Sequence, residues 1–211
     1  MKIYLIRHGE TEWNKDRRLQ GQSDVPLNAY GRELAEETAK ALEREGTIFD
    51  RAFASPLSRA LETARILTAG RDIPLETDRR LMEMNFGAYE GSAFDPPKKD
   101  PAHPLHDFLC RPEAYVPAAG AESFEQVMTR ARSFLEEKIL PLERSCKAVL
   151  VAAHGAFNRC LLGTIQDMPL EEFWKVGMPN CAVSILSLDA GKFAILEESR
   201  IYYDKPVNVR P

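Results

Sequence analysis

Near its N-terminus the chain reads Lys2-Ile3-Tyr4-Leu5-Ile6-Arg7-His8-Gly9, a short apolar run that ends in two polar side chains. The run is rich in large apolar residues, and it predicts a buried β-strand over residues 2–7. Arginine and histidine at the end of a buried strand cost free energy unless another group pairs with them. The stretch therefore predicts a sheet that carries Arg7 and His8 to one of its edges, where they meet a partner.

The rest of the chain alternates between short apolar runs and segments with helical spacing. Further strands are predicted at 52–54, 73–77, 148–153, 181–188 and 192–198. Helices are predicted from Asn28 to near Gly46, from the Ser55-Pro56 pair onward, from Ser123 to Leu142, and from His154-Gly155 onward. Asn28 and Ser55 are expected to cap their helices, with Pro56 at the first helical position, and Ser123 with Gln126 matches a capping box.

Strands that alternate with helices are typical of an α/β protein with a mainly parallel sheet and helices on both faces. We therefore expect a three-layer α/β/α sandwich around a six-stranded sheet. The turn at 189–191 predicts a C-terminal hairpin, which adds one antiparallel strand. A single domain over 1–211 accounts for all of these elements.

Residues 92–120 are the exception to this alternation. They hold six of the fourteen prolines, so the segment cannot be a regular helix or a central strand throughout. Long irregular insertions in compact domains often cover a binding site, and we interpret this one as a lid. Its candidate contacts with a substrate are Lys98, Lys99, His103, His106, Arg111 and Tyr115.

The composition excludes several classes of protein. The chain is 44% hydrophobic and 28% charged, values of a globular protein, and its net charge of −4 favours neither nucleic acid nor an anionic membrane. No apolar run approaches the ~18 residues that cross a bilayer, and the N-terminus does not match a signal peptide. Four cysteines without a Cys-x-x-Cys pair are read as reduced, buried thiols, which predicts a cytoplasmic protein.

Three predicted strands end close to arginine or histidine. The first ends in Arg7-His8-Gly9, the second leads to Arg59, and the strand over 148–153 ends in His154-Gly155. Ligands of open parallel sheets bind beyond the carboxyl ends of the strands, so these side chains should converge. Together with two nearby helix N-termini they predict a local anion site, and a phosphoryl group matches the forked donors of arginine.

A histidine in such a site can also react. Nearby arginines lower the pKa of His8, and the neutral imidazole is a competent nucleophile toward phosphorus. The leaving oxygen then needs a proton, and Glu83, which lies between apolar residues, is the candidate acid. Each residue has a plainer interpretation: a turn at His154-Gly155, a solvated Arg59, a surface ion pair for Glu83. Their joint occurrence favours the site.

Several motifs, in a fixed order, resemble a known family. They are Leu5-Ile6-Arg7-His8-Gly9-Glu10-Thr11-x-Trp13-Asn14, Leu19-Gln20-Gly21-Gln22-Ser23-Asp24, Pro26-Leu27-Asn28-x-x-Gly31, Ala54-Ser55-Pro56-Leu57-x-Arg59-Ala60-x-x-Thr63-Ala64, Glu83-x-x-Phe86-Gly87-x-Tyr89-Glu90-Gly91, Glu122-Ser123 and Ala153-His154-Gly155. The combination resembles the histidine phosphatase superfamily, also called the phosphoglycerate mutase-like family, and it spans most of the chain.

This resemblance implies a role for each matching position. His8 would become a phosphohistidine, with its other ring nitrogen fixed by a backbone carbonyl, while Arg7, Arg59 and His154 would hold the phosphoryl oxygens. Glu83 would protonate the leaving oxygen and then activate the acceptor. The remaining contacts implied for the phosphate and substrate are Asn14, Gln20, Gly21 and Gly155. The family uses no metal, and the resemblance implies no cofactor.

The same machinery serves two reactions. Water as the acceptor gives a metal-independent phosphomonoester hydrolase, a histidine acid-type phosphatase, whereas a second hydroxyl gives a cofactor-dependent phosphoglycerate mutase. Residues 20–24 resemble the phosphatase branch, which includes α-ribazole phosphatases and broad-specificity phosphatases. A mutase must also hold a second phosphate, and residues 92–120 contain a single arginine, Arg111. We therefore favour a phosphatase acting on a small phosphorylated metabolite.

Two other classes of function stay open. A phosphate-binding module without chemistry would share the fold, although His8, Glu83 and His154 are all present. A metal-dependent hydrolase is disfavoured, because no cysteine or acidic cluster completes a ligand set with His103 and His106. The sequence leaves the oligomeric state open, a homodimer included, and it also leaves open what the tail from Arg200 to Pro211 packs against.

Overall fold

The computed structural model describes residues 1–204, and its six strands form one sheet. The strands are β1 (Lys2–Arg7), β2 (Arg51–Ala54), β3 (Leu75–Thr77), β4 (Ala148–Ala153), β5 (Val183–Asp189) and β6 (Lys192–Arg200). Their order in the sheet is β3-β2-β4-β1-β5-β6. The first four strands of the chain run parallel, and β5 is antiparallel to both of its neighbours. The predicted fold class is confirmed.

Seven α-helices surround this sheet within the described residues. They are α1 (Glu12–Lys15), α2 (Ala29–Arg44), α3 (Ser58–Leu67), α4 (Asp95–Lys99), α5 (His106–Cys110), α6 (Phe124–Phe134) and α7 (Gly155–Gln166). After α6 the chain continues through a π-helical turn, Leu135–Ile139, and a 3-10 turn, Leu140–Leu142. Over residues 1–204, no helix has both the length and the apolar character that a bilayer crossing requires.

The helices cover both faces of the sheet, because apolar side chains of β1 point alternately to one face and to the other. In β1, Ile3 and Leu5 pack into one buried cluster with side chains of α6 and α7. Tyr4 and Ile6 point to the opposite face and pack with side chains of α2 and α3. Because successive side chains of a strand point to opposite faces, a strand that is apolar throughout must be covered on both sides.

The pairing of β1 with β4 places the ends of both strands side by side. Their register runs in parallel from Lys2 opposite Ala148 to Arg7 opposite Ala153. The residues that follow the two strands, His8 and His154, are therefore neighbours at the carboxyl edge of the sheet. The imidazole ring centroids lie 5.2 Å apart.

Two of the three predicted helix caps are confirmed. Asn28 Oδ1 accepts a hydrogen bond from the backbone N–H of Gly31 at 2.7 Å, and Ser123 forms the expected capping box with Gln126. The Ser55 cap is wrong. The helix α3 begins at Ser58, and the Ser58 N–H donates to Asp24 Oδ1 at 2.7 Å. A side chain far away in the sequence thus supplies the cap.

The proline-rich segment folds into short helical pieces that pack against the body of the protein. The ring of Phe108 stacks on that of Phe124 with centroids 5.5 Å apart, and it meets the ring of Trp174 edge-on at 5.2 Å. Trp174 Nε1 also donates to the Phe108 carbonyl at 2.7 Å. The segment is therefore anchored by aromatic contacts in its second half.

The expectation of four buried thiols is wrong for two of them. Cys160 and Cys181 are buried, but Cys110 is exposed and Cys146 is half-buried. All four are free thiols. The apolar neighbours of Cys110 in the sequence misled the prediction, because α5 is a short surface helix whose opposite side carries Phe108 and Leu109 into the core.

The loop after β1 lies directly on the first turn of α2. A Cβ atom at Gly31 would lie 2.1 Å from the Glu10 carbonyl oxygen, and one at Gly9 would lie 2.4 Å from the Gly31 oxygen. The Asn28 N–H donates to that same Glu10 oxygen at 3.0 Å. Both glycines are therefore required by the close approach of two backbones, which fixes the loop that follows His8.

We predict that Gly31→Ala destabilises the protein by roughly 1–3 kcal/mol, since backbone cannot yield to the added methyl as a flexible side chain can. The control is Gly163→Ala in α7, where the atoms nearest to an added Cβ are the terminal methyl carbons of the flexible Met168 and Met128 side chains, at 3.2 and 3.3 Å. That variant should be neutral or more stable, because alanine favours helices over glycine by about 1 kcal/mol. Urea unfolding measures both changes. Equal effects of the two substitutions would contradict the close-approach interpretation.

Candidate active site

A cavity of 570 Å³ opens at the carboxyl edge of the sheet. Eight of the nine residues predicted for the site line this cavity: Arg7, His8, Asn14, Gln20, Gly21, Arg59, Glu83 and Gly155. The ninth, His154, is fully buried and lies next to the ring of His8. The structure thus brings together residues from β1, α1, α3, α7 and three loops, although up to 148 positions separate them in the chain.

The ring of His8 is held in one orientation by its own loop. His8 Nδ1 lies 2.6 Å from the Gly9 carbonyl oxygen. A carbonyl oxygen can only accept, so the hydrogen of the neutral ring is on Nδ1 and the lone pair is on Nε2. The resemblance to the superfamily implies such a contact with a backbone carbonyl. Nε2 is therefore the nitrogen that can attack an electrophile.

His8 is neutral at physiological pH. Burial lowers its pKa well below the ordinary value, the charges of Arg59 and Arg7 lower it further, and the hydrogen bond to Gly9 opposes this only in part. The pKa of His154 is also lowered well below the ordinary value, first by burial and then by Arg59. Both imidazoles thus keep a lone pair, as a nucleophile or a hydrogen-bond acceptor needs.

The backbone around His8 is held by a segment that the sequence did not single out. Asn180 Nδ2 donates to the His8 carbonyl at 3.0 Å and to Asn14 Oδ1 at 3.2 Å. The Cys181 N–H donates to the Arg7 carbonyl at 3.0 Å, and Arg7 donates to the Met178 carbonyl. The only signal in the sequence was the turn-forming pair Pro179-Asn180 before β5, which predicts a turn but no role.

Arg59 is a fully buried cation that is paired with backbone oxygens. Its guanidinium donates to the Gly21 and Ser23 carbonyls, each at 2.7 Å. Burial lowers the pKa of Arg59 to about 10, so the group is still charged at neutral pH. Carbonyl oxygens stabilise the cation without neutralising it, which leaves its charge available to an anion.

Several buried nitrogens in the site have no hydrogen-bond partner within the described residues. They are Nε of Arg7, Nε of Arg59, and both ring nitrogens of His154. Buried polar atoms are almost always paired, and exceptions call for an explanation. The oxygen acceptors of a ligand seated beside His8 would pair with the Nε–H groups of the two arginines and with the single N–H of the neutral His154 ring.

Glu90 holds the loop on which Arg59 rests. Its carboxylate accepts hydrogen bonds from the N–H groups of Gln22 at 2.8 Å and of Ser23 at 2.7 Å. Gly21 has φ +54°, and a Cβ atom there would lie 2.1 Å from Glu90 Oε1. Glycine is thus needed at position 21 both for its backbone conformation and for the space that Glu90 occupies.

Glu83 lies at the N-terminus of α7. Its carboxylate accepts from the N–H groups of Met84 at 2.9 Å, Phe157 at 2.9 Å and Ala156 at 3.2 Å. These donors fix the position of the carboxylate at the wall of the cavity.

The helix N-termini are partly occupied by carboxylates of the protein, which reduces the number of donors that we expected them to offer a ligand. N–H groups in the first turn of α7 donate to Glu83, and the first N–H group of α3 donates to Asp24. These three N–H groups are thus paired with carboxylates of the protein. Arginine and histidine side chains are among the further donors that line the cavity.

The outer part of the cavity differs from the predicted lid contacts. In the described part of segment 92–120, the cavity is lined by Phe94 and Phe108, and none of the six predicted polar residues reaches it. His103 Nδ1 instead accepts from the Leu105 N–H, and His106 Nδ1 contacts the Pro97 carbonyl. Phe86 and Trp174 complete the aromatic lining, while the exposed cations at the rim are Lys15, Arg17 and Arg18.

The fold is that of the phosphoglycerate mutase-like proteins. The chain belongs to the histidine phosphatase superfamily (branch 1), whose sequence profile matches residues 3–199. It is 30% identical over 212 residues to a 2,3-bisphosphoglycerate-dependent phosphoglycerate mutase of Bifidobacterium longum, covering 89% of this chain and 86% of that protein.

Two solved structures are similar over nearly their whole length. YhfR of Bacillus stearothermophilus superposes with a TM-score of 0.84 at 33% identity, covering 95% of this chain and 97% of that one. The alpha-ribazole phosphatase of Shigella flexneri superposes with a TM-score of 0.80 at 25% identity, covering 95% and 96%.

The buried histidines make the stability of the protein depend on pH. Because the native pKa values of His8 and His154 are lowered, below about pH 6.5 the unfolded chain binds protons that the native state does not. Stability is therefore lost as pH falls below that value, by up to about 1.4 kcal/mol per pH unit for each histidine.

We predict that His154→Gln flattens this dependence. Urea unfolding in phosphate-free buffer at pH 7.5 and 5.5 should show a smaller difference for the variant than for the wild type. Both proteins carry the same other titratable groups, so comparing the two differences isolates the histidine. Parallel loss of stability in the two proteins would mean that His154 takes up its proton in the native state as readily as in the unfolded chain.

Proposed function

We propose that this protein is a metal-independent phosphomonoester hydrolase that works through a phosphohistidine at His8. The observation that supports this most is the neutral, buried His8 ring beside Arg7, Arg59 and His154, whose unpaired nitrogens match the oxygens of a phosphoryl group. Arginine side chains and fixed donors stabilise the charge of a phosphoryl group in transfer. The substrate is a small phosphorylated metabolite.

The reaction proceeds in two half-reactions, phosphorylation of His8 and hydrolysis of the phosphohistidine. In the first, His8 Nε2 forms a bond to phosphorus, the bond from phosphorus to the ester oxygen breaks, and Glu83 gives its proton to that oxygen. In the second, Glu83 takes a proton from water, the resulting hydroxide attacks phosphorus, and the bond to His8 breaks. Arg7, Arg59 and His154 hold the three other oxygens throughout. Asn14, Gln20, Gly21 and Gly155 complete the pocket.

Water as acceptor agrees with the lining of the outer cavity. A mutase must hold a second phosphate, and the residues that segment 92–120 contributes to the cavity are the apolar Phe94 and Phe108. Such a wall accommodates the apolar part of an ester, not a dianion. We propose that the segment acts as a lid of a single domain and selects the substrate through this wall.

Two observations favour phosphoglycerate mutase activity as the second candidate. Relatives about 30% identical to the chain are named as mutases, and Lys15, Arg17 and Arg18 place positive charge at the rim of the cavity. These cations could hold a second acidic group of a substrate. A third candidate, a phosphate-binding module without chemistry, requires that turnover be absent.

We predict that turnover of an aryl phosphate is abolished by His8→Ala and survives a chelator. Labelled phosphate from the substrate should be trapped on the wild-type protein as an adduct that is labile to acid and stable to alkali. Its absence in His8→Ala, with binding of inorganic phosphate retained, would confirm the nucleophile. Turnover by that variant, or stoichiometric label on serine or cysteine, would refute it.

Glu83→Gln should separate substrates by their leaving groups. An alkyl phosphate needs a proton on its leaving oxygen, so its kcat should fall by roughly 100-fold or more, the usual range of general acid catalysis. An aryl phosphate with a stable phenolate leaving group should lose far less in the phosphorylation step. Single-turnover kinetics isolates this step, and equal losses on both substrates would exclude Glu83 as the proton donor.

The choice of acceptor is tested directly with 3-phosphoglycerate and catalytic 2,3-bisphosphoglycerate. A phosphatase should release inorganic phosphate from a panel of monoesters and form no 2-phosphoglycerate. Phosphorus NMR follows 3-phosphoglycerate, 2-phosphoglycerate and inorganic phosphate in one sample. Accumulation of 2-phosphoglycerate faster than inorganic phosphate would establish the mutase alternative.

A further inference from the structure

Glu122, which precedes the capping box of α6, has no part in the reaction described above. Its side chain forms a bidentate ion pair with Arg130, which lies in α6. Arg130 Nε lies 2.9 Å from Glu122 Oε1, and a terminal nitrogen of the same guanidinium lies 3.0 Å from Oε2. Only 16% of the Arg130 side chain and 22% of the Glu122 side chain are exposed. The pair is thus partly desolvated and geometrically well defined.

This ion pair contacts the backbone on both sides of Glu83. The Arg130 guanidinium donates to the carbonyl oxygens of Arg80 and Met82, each at 2.6 Å, and to that of Glu83 at 3.1 Å. On the other side, Glu122 Oε2 accepts from the N–H of Asn85 at 2.8 Å, and the Glu122 N–H donates to the Asn85 carbonyl at 2.9 Å.

Arg130 also contacts the second element that holds the Glu83 carboxylate. Its guanidinium lies over the ring of Phe157, 5.1 Å from the ring centroid. The Phe157 N–H is one of the donors to the Glu83 carboxylate. One side chain thus touches both the segment that carries Glu83 and the first turn of α7, where its carboxylate is bound.

We propose that Glu122 and Arg130 are positioning residues for the acid catalyst, an inference that rests on the proposed role of Glu83. The pair fixes the backbone at 82–85, and α7 fixes the carboxylate, so the distance from Glu83 to a leaving oxygen is set at two points. Proton transfer is sensitive to such distances, whereas the residues that bind the phosphoryl group, Arg7, Arg59 and His154, lie outside this segment. The Arg59 loop meets the segment through one side-chain hydrogen bond, from Gln22 Nε2 to the Glu83 carbonyl at 3.1 Å.

The test compares Glu122→Gln and Arg130→Lys with wild type on an alkyl phosphate and an aryl phosphate in single-turnover phosphorylation. We expect the alkyl rate to fall roughly 10- to 100-fold and the aryl rate by less than about 3-fold. Both rates come from one preparation, so their ratio does not depend on the fraction of folded protein. Arg130→Lys keeps the charge and should retain more alkyl activity than Arg130→Met.

Two further variants serve as controls. Lys138→Met removes an ion pair between the π-helical turn that follows α6 and Glu76 of β3, and both rates should stay at the wild-type level. Glu90→Gln weakens the hydrogen bonds that hold the loop under Arg59. It should lower both rates by a similar factor, because Arg59 binds the phosphoryl group that both substrates share. A selective alkyl loss in Lys138→Met would show that any disturbance of the helix has this effect.

A double mutant distinguishes the positioning role of Glu122 and Arg130 from the proposed role of Glu83 as the acid. Adding Glu122→Gln to Glu83→Gln should cause little additional loss of the alkyl rate, since the acid is already absent. If Glu83→Gln shows no dependence on the leaving group, the role of Glu83 fails. If Glu83→Gln shows that dependence but Glu122→Gln lowers both rates equally, or adds its full effect to Glu83→Gln, the positioning role fails.

Discussion

The structure depends on two arginines, the buried Arg59 and the partly buried Arg7, packed beside two buried histidines that follow adjacent parallel strands. Burying a cation is costly, and nearby arginines make protonation of a buried histidine costlier still. Backbone carbonyls offset the cost of burying the cations: those of Gly21 and Ser23 accept from Arg59, and that of Met178 accepts from Arg7. The cost of protonating a buried histidine does not arise, because both imidazoles are neutral. The result is positive charge next to an uncharged nucleophile, which suits a phosphoryl group and repels a proton.

Carboxylates behind the cavity wall fix the loops and the helix that position these side chains. Glu90 fixes the loop whose carbonyls orient Arg59, Asp24 caps the helix that carries Arg59, and Glu122 fixes the segment that carries Glu83. Each accepts hydrogen bonds from backbone N–H groups, so each anion stabilises a loop without neutralising the cations of the cavity. An acidic chain of net charge −4 can thus present a strongly cationic cavity.

Much of the fold and of the site could be predicted from sequence because the signals were local. Each of these signals spans only a few positions of the chain. They are the alternating pattern of the strands, the caps at Asn28 and Ser123, and the polar residues at the strand ends. The start of α3 could not be predicted, since its cap comes from Asp24, and neither could the role of Asn180 or the aromatic lining by Phe94 and Phe108. These depend on which segments meet in three dimensions. Proline content predicted an irregular segment at 92–120 but not which side chains face the cavity.

The central claim is that His8 attacks a phosphorus atom whose oxygens are held by Arg7, Arg59 and His154. A crystal structure with orthovanadate, which mimics a phosphoryl group in transfer, tests it most directly. We expect vanadium within bonding distance of His8 Nε2, with its oxygens on the nitrogens of Arg59 and His154 that now lack partners among the described residues. Vanadate bound at the rim near Lys15 and Arg18, with the His8 ring untouched, would contradict the account.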